Sequence, residues 1–182
     1  MPRRLPLTLF DLDHTLLDGD SDVLWCDFLM NEGVLARNEF EPRNRRMERE
    51  YSAGSVSPQA FCEFYLSTLA GRTPSDWEPL RRTFLDNVIA PRIGSAAHEL
   101  VTRHRDAGQL VVMSTATNRF LTELTAAHLG LPHLIATECE FDAEGVFTGR
   151  VAGTLNMREG KVARLQQWLA QQNLDLRDCE ST

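Results

Sequence analysis

Apolar and polar positions fall into blocks along this chain, and the rhythm of the blocks changes twice. Leu7 to Phe10 reads as a short buried strand, bounded by Pro6 on one side and an acidic stretch on the other. From about Asp18 to Ala90 the spacing turns helical. Val23 to Met30 is apolar-rich and closed by Gly33, and a polar helix runs from about Arg37 towards Gly54. Ser57-Pro58 predicts an N-cap followed by proline in the first turn, opening a helix through Leu69 that Gly71 stops. Thr73-Pro74 opens another, with Trp77, Leu80 and Phe84 spaced by three and four, and Pro91 ends the run. Beyond Pro91 helices and strands alternate. Ser95 is expected to cap a helix to about Ala107, and Leu110 to Met113 forms a strand buried on both faces. An amphipathic helix from Asn118 to Gly130, a strand from Leu134 to Thr137, a hairpin from Glu140 to Val151 and a helix from Glu159 to Gln172 complete the pattern.

Strands alternating with helices predict an α/β fold: a parallel sheet with crossover helices, interrupted by a helical insertion after the first strand. The expected division is a discontinuous core, residues 1–17 and 91–182, and a helical cap, residues 18–90. The insertion holds nine of the fourteen aromatics, which predicts a small core of its own.

Composition narrows the class without naming an activity. The 182 residues are 42% hydrophobic and 25% charged, values of an ordinary globular protein. No apolar run approaches a membrane span, and the first ten residues lack a secretory leader, so the expected location is cytoplasmic. A net charge of −7 gives no reason to expect a nucleic-acid partner, which would want a basic surface. Cys26, Cys62, Cys139 and Cys179 lie far apart with no CxxC pair, which argues against zinc and disulfides and for buried, idle thiols. His98, His104, His128 and His133 are scattered, which suits surface or core roles better than metal ligation. Among nineteen Lys and Arg residues, Lys161 is the only lysine.

Candidate chemistry concentrates in FDLDHTLLDGDSD, Phe10 to Asp22, which carries five aspartates. A calcium loop would need glycine where Leu16 stands and a bidentate Glu where Asp22 stands. A solvated turn explains poorly why Asp11 follows a buried strand directly. The carboxyl end of a parallel strand is instead where open α/β sheets bind ligands, and residues two apart in extended chain face one side, so Asp11 and Asp13 can address one substrate. Two close carboxylates resist ionising together. Covalent phosphoryl transfer uses that asymmetry: one aspartate attacks phosphorus, and the other protonates the leaving oxygen and then activates water.

FDLDHT after an apolar strand resembles the DxDxT motif of the haloacid dehalogenase superfamily, in particular its phosphoserine-phosphatase-like branch with a helical cap behind the motif. The resemblance implies a three-layer Rossmann-like core with an inserted all-helical cap. It implies Asp11 as nucleophile, Asp13 as general acid/base, and Mg2+ bound by the Asp11 carboxylate and the Asp13 main-chain carbonyl. The second motif, a hydroxyl that binds phosphate at the end of a buried strand, falls on Thr115, with Ser114 as the alternative. Thr117 fits a cap for the following helix. The third, a lysine opening a late helix, falls on Lys161 in NMREGKVARL. The family's fourth motif, an acidic pair beyond a further strand, has no counterpart before Thr182: Asp175 and Asp178 follow no apolar run. The expectation is a longer parent protein, or a member with weak metal binding.

By the same resemblance Asp20 is the candidate contact for a substrate amine, with Glu63 and Tyr65 on the cap side. The helix from Pro58 carries no arginine to take a carboxylate. These features imply a magnesium-dependent phosphatase of a small phosphomonoester, histidinol phosphate or phosphoserine. The alternatives are a non-catalytic phosphate-binding or regulatory module and a phosphotransferase.

Overall fold

The structure is a computed structural model and describes residues 5–181. Five strands, β1 (Leu5–Phe10), β2 (Leu110–Asn118), β3 (His133–Phe141), β4 (Phe147–Ala152) and β5 (Cys179–Ser181), form one sheet in the order β4-β3-β2-β1-β5. The pairs β1–β2, β1–β5 and β2–β3 are parallel, while β4 returns antiparallel to β3 as the expected hairpin. Period-two alternation sends the side chains of β2 to two cores. Val111 and Met113 join a core with Val101, Phe120 and Leu121, while Val112 packs with Leu7, Ile135, Leu165 and Leu169 on the opposite face. Helices therefore cover both faces: α5 (Ser95–Asp106) and α6 (Arg119–His128) on one, α7 (Glu159–Gln171) on the other.

Between β1 and α5 the chain is helical, with α1 (Ser21–Asn31), α2 (Arg37–Ser52), α3 (Pro58–Leu66) and α4 (Pro74–Phe84). Its aromatics do not form a single separate core. Phe40, Phe64 and Tyr65 gather with Cys26 and Met30, whereas Trp25, Phe28, Trp77 and Phe84 belong to the cluster that contains Phe10, Leu12 and Phe120. The two points at which this helical segment leaves and rejoins the sheet are tied by the Asp18 N–H donating to the Arg92 carbonyl, 3.1 Å.

Several boundaries differ from the pattern-based expectation, each for a local reason. The helix opened by Pro58 tightens after Leu66 into a 3-10 turn, Ser67–Leu69, because the Ser67 and Thr68 hydroxyls donate back to the Phe64 and Tyr65 carbonyls. The run ahead of Pro91 leaves the α-helix at Phe84 and passes through a π turn, Leu85–Ile89, and a 3-10 turn, Ala90–Arg92. Gly94, not Ser95, is the N-cap of α5. Asn118, not Thr117, caps α6, its side chain accepting from the Leu121 N–H at 3.0 Å. The strand β5 was not expected at all. Only three residues long, it is defined by its register with β1, Leu5 opposite Cys179 and Leu7 opposite Ser181. All four cysteines are free and buried. Among the described residues no helix is long and apolar enough to cross a membrane.

Candidate active site

β1 ends at Phe10, and the acidic stretch folds back beneath its own carboxylates. The N–H groups of Thr15, Leu16 and Leu17 all donate to the Leu12 carbonyl at 2.9–3.1 Å, and His14, in the left-handed region at φ 55°, donates to the Gly19 carbonyl. Leu12, Leu16 and Leu17 are buried and anchor the loop. Apolar side chains thus go under, and the aspartates stay at the carboxyl end of the sheet.

Asp11 and Asp13 receive different environments. One oxygen of Asp11 accepts from the Leu12 N–H at 2.9 Å, and the other lies 2.7 Å from Lys161 Nζ, in a pair that is about one-third to one-half exposed. Asp13 is enclosed. Its Oδ1 accepts from the Ser21 N–H at 2.8 Å and the Ser21 hydroxyl at 2.6 Å, and its Oδ2 from Thr117 Oγ1 at 3.0 Å and Thr115 Oγ1 at 3.4 Å. Burial pushes the Asp13 carboxyl above the ordinary carboxylate value, against the pull of the Ser21 hydrogen bonds, and Asp20 adds to the rise.

Lys161 owes its place to the turn before it. A side chain on Gly160 would meet the Leu155 carbonyl oxygen at 2.0 Å, so only glycine fits the close approach that opens α7. A cleft of about 260 Å³ is lined by Leu9, Phe10, Asp11, Ser114, Lys161, Val162 and Leu165. Ser114 and Thr115 flank the aspartate pair from two sides: Ser114 shares the cleft with Asp11 and Lys161, and the fully buried Thr115 reaches Asp13.

The cap-side candidates are engaged elsewhere. Asp20 is the N-cap of α1, accepting from the Asp22 and Val23 N–H groups at 3.0 Å. Glu63 accepts from Gln59 and from the Val151 N–H, and the buried Tyr65 donates to Asn44. Asp22 stands nearer the chemistry, with Thr117 Oγ1 at 3.4 Å from its Oδ2. Burial pushes the Asp22 carboxyl well above the ordinary value, and Asp20 and Asp13 push the same way. Among the described residues no ion pair involves Asp13, Asp20 or Asp22. Ser21, Thr117 and Asp22 were not foreseen as site residues. Thr117 had a visible signal: it lies two positions after Thr115 in extended chain and so faces the same side.

The family model for haloacid dehalogenase-like hydrolases matches residues 8–182. The chain belongs to that family. This HAD-like hydrolase is similar to a histidinol-phosphatase of Neisseria meningitidis serogroup C, 33% identical over 97% of this chain and 79% of that protein. It is also similar to a phosphoserine phosphatase of Mycobacterium tuberculosis, 29% identical over 93% of this chain but only 56% of the longer relative. A solved structure of a protein of unknown function from Bordetella pertussis superposes on it with a TM-score of 0.93 at 41% identity, covering 98% of this chain and 80% of that one.

The donor set of this HAD-like hydrolase suits a hard cation only in part. Among the described residues no three His, Cys, Asp or Glu side chains converge on one point that could hold a metal. Magnesium is commonly held by one or two carboxylates plus water and substrate phosphate oxygens, and Asp11 at the end of β1 offers one such carboxylate at the cleft.

Proposed function

We propose that the chain hydrolyses a small phosphomonoester bearing a positively charged group, through an aspartyl-phosphate on Asp11. The observation that carries this reading is the unequal pair: Asp11 bonded to the only lysine, and Asp13 partly buried with its carboxyl pushed up. An Asp11 oxygen attacks phosphorus while Asp13 gives its proton to the departing alkoxide oxygen. Asp13 then takes a proton from the water that attacks the phosphorus of the aspartyl-phosphate, releasing inorganic phosphate and regenerating Asp11. Lys161 and the hydroxyls of Ser114 and Thr115 hold the phosphoryl oxygens, where a compact ammonium offsets developing charge. Mg2+, held by the Asp11 carboxylate and the Asp13 carbonyl, would supply further charge neutralisation.

The acidic surroundings of the pair support a cationic substrate. Asp20 spends one oxygen on the helix cap, and we assign the amine contact to Asp22, whose carboxylate lies beside Thr117. The name of the Neisseria relative favours histidinol phosphate, and that of the mycobacterial one phosphoserine. Phosphoserine adds a carboxylate, for which α3 offers no arginine, so histidinol phosphate is the better fit. Residues 18–90 act as a cap over the cleft, closing it against water in a cytoplasmic enzyme.

Phosphate release from a panel of phosphomonoesters with Mg2+ tests the proposal. Turnover is expected, greatest for amine-bearing esters, and lost in Asp11→Asn together with an acid-labile phosphoenzyme. Full activity of that variant would end the mechanism. Binding without turnover would make the chain a phosphate-binding module, and transfer to an added alcohol a phosphotransferase.

A further inference from the structure

Asn156 lies in the loop between β4 and α7, and it is completely buried. Its amide nitrogen is 2.8 Å from the Thr115 carbonyl, 3.0 Å from the Ile135 carbonyl and 3.2 Å from Ser114 Oγ, and its own N–H lies 3.3 Å from Thr137 Oγ1. One side chain therefore stitches the loop to the ends of both β2 and β3. The two carbonyls fix the amide's orientation, because a flipped amide would set oxygen against oxygen. In that orientation Ser114 Oγ accepts, so its own proton is left for the cleft it lines with Asp11 and Lys161. Among the described residues Asn156 Oδ1 is buried without a hydrogen-bond partner, an arrangement that costs stability.

The same loop fixes Lys161. The Gly160 N–H donates to the Met157 carbonyl at 2.9 Å and the Lys161 N–H to the Arg158 carbonyl at 3.0 Å. Arg158 sits at φ 51° and ψ −126°, a conformation unfavourable to a residue with a side chain. With Gly160 pressed on the Leu155 carbonyl, residues 155–161 form a closely packed, hydrogen-bonded turn that joins Asn156 to Lys161. We infer that Asn156 is the positioning residue of the site: it aims the Ser114 hydroxyl and sets where Lys161 meets Asp11. This rests on the phosphatase reading above.

Asn156→Ala and the isosteric Asn156→Asp, which keeps the shape but opposes two carbonyl oxygens, are compared with Lys161→Met and with Asn156→Ala/Lys161→Met. The substrate is p-nitrophenyl phosphate with Mg2+, below the unfolding transition of each variant, and inorganic phosphate is measured separately through the rise in melting temperature it causes. Either Asn156 variant is expected to lower kcat roughly tenfold or more with a smaller change in KM, and to weaken the phosphate-induced rise. In the Lys161→Met background Asn156→Ala is expected to cost much less than it does alone, since the two act as a unit. Full kcat in a folded Asn156 variant, or losses that multiply independently in the double variant, would overturn the assignment. If the unaltered protein shows no turnover, the phosphatase reading fails, and the phosphate-induced rise still decides whether Asn156 aligns the anion site.

Discussion

Lys161 Nζ and Asp11 Oδ2, separated by 150 positions in the chain, stand 2.7 Å apart across the mouth of the cleft. The pair is partly exposed, and an ion pair of that kind adds only about 0–1 kcal/mol to stability. On the proposed phosphatase reading its value lies in the site. Lys161→Met is expected to leave the melting temperature nearly unchanged while kcat/KM for phosphomonoesters falls by about 10²–10³, the scale of losing one preorganised charge partner of a transition state. Thermal unfolding and steady-state kinetics on one preparation check both halves, and a large loss of stability would show that the lysine serves the fold.

Asp22 gives a prediction in which stability and activity move in opposite directions. Unfolded, its carboxyl titrates near 3.8; folded, burial and the neighbouring Asp20 and Asp13 hold the proton to higher pH. The folded state binds more protons than the unfolded one between those two values, so stability falls as pH rises through that window. Asp22→Asn removes the burden at neutral pH and is expected to raise the melting temperature, by about 2–4 °C for each kcal/mol gained, with the gain vanishing below the unfolded value. The same change should lower kcat/KM for an amine-bearing ester more than for its uncharged analogue. Equal losses on both esters would remove Asp22 from substrate recognition.

What was legible beforehand follows the range of the interactions involved. Asp11 and Asp13 could be read because a carboxylate pair directly after a buried strand is a local conflict, and Lys161 because it is the only one of its kind. The parallel sheet followed from alternating periods. By contrast, β5 exists through its pairing with a strand 174 positions away in register, from Leu5 to Cys179, and three residues carry no period. Asp20 is the amine contact that the family resemblance implies, and the structure adds a second duty, since one of its oxygens accepts from two unpaired N–H groups at the start of α1. Asn156 belongs to no motif or period that the sequence displays. Only the fold shows that three acceptors from β2 and β3 converge on its amide.

Tyr51, at the end of α2, donates its hydroxyl to Met157 Sδ at 3.3 Å and stacks on Phe61, and Arg158 reaches the same hydroxyl at 3.4 Å. This is a contact from the helical segment onto the turn that carries Lys161. Tyr51→Phe keeps the ring and removes both bonds, worth about 0.5–1.5 kcal/mol together if they act as one ordinary hydrogen bond. On the proposal that residues 18–90 close over the site, weakening closure by that amount is expected to raise KM about 2- to 10-fold with kcat little changed and to quicken amide exchange in α2. Unaltered KM with unaltered exchange would mean that the contact does not govern closure.

Gly160→Ala tests the turn itself. The added carbon would fall 2.0 Å from the Leu155 carbonyl oxygen, a backbone atom that cannot rotate away, so the turn has to open. The expected cost is about 1–3 kcal/mol of stability, as for other overpacked sites. Displacement of Lys161 from Asp11 should additionally reduce kcat by at least about tenfold, since a shift near 1 Å at a reacting centre already costs that much or more. Kinetics at a temperature where the variant is fully folded separate the two effects. Wild-type kcat in the folded variant would show that α7 can start elsewhere and still deliver its lysine.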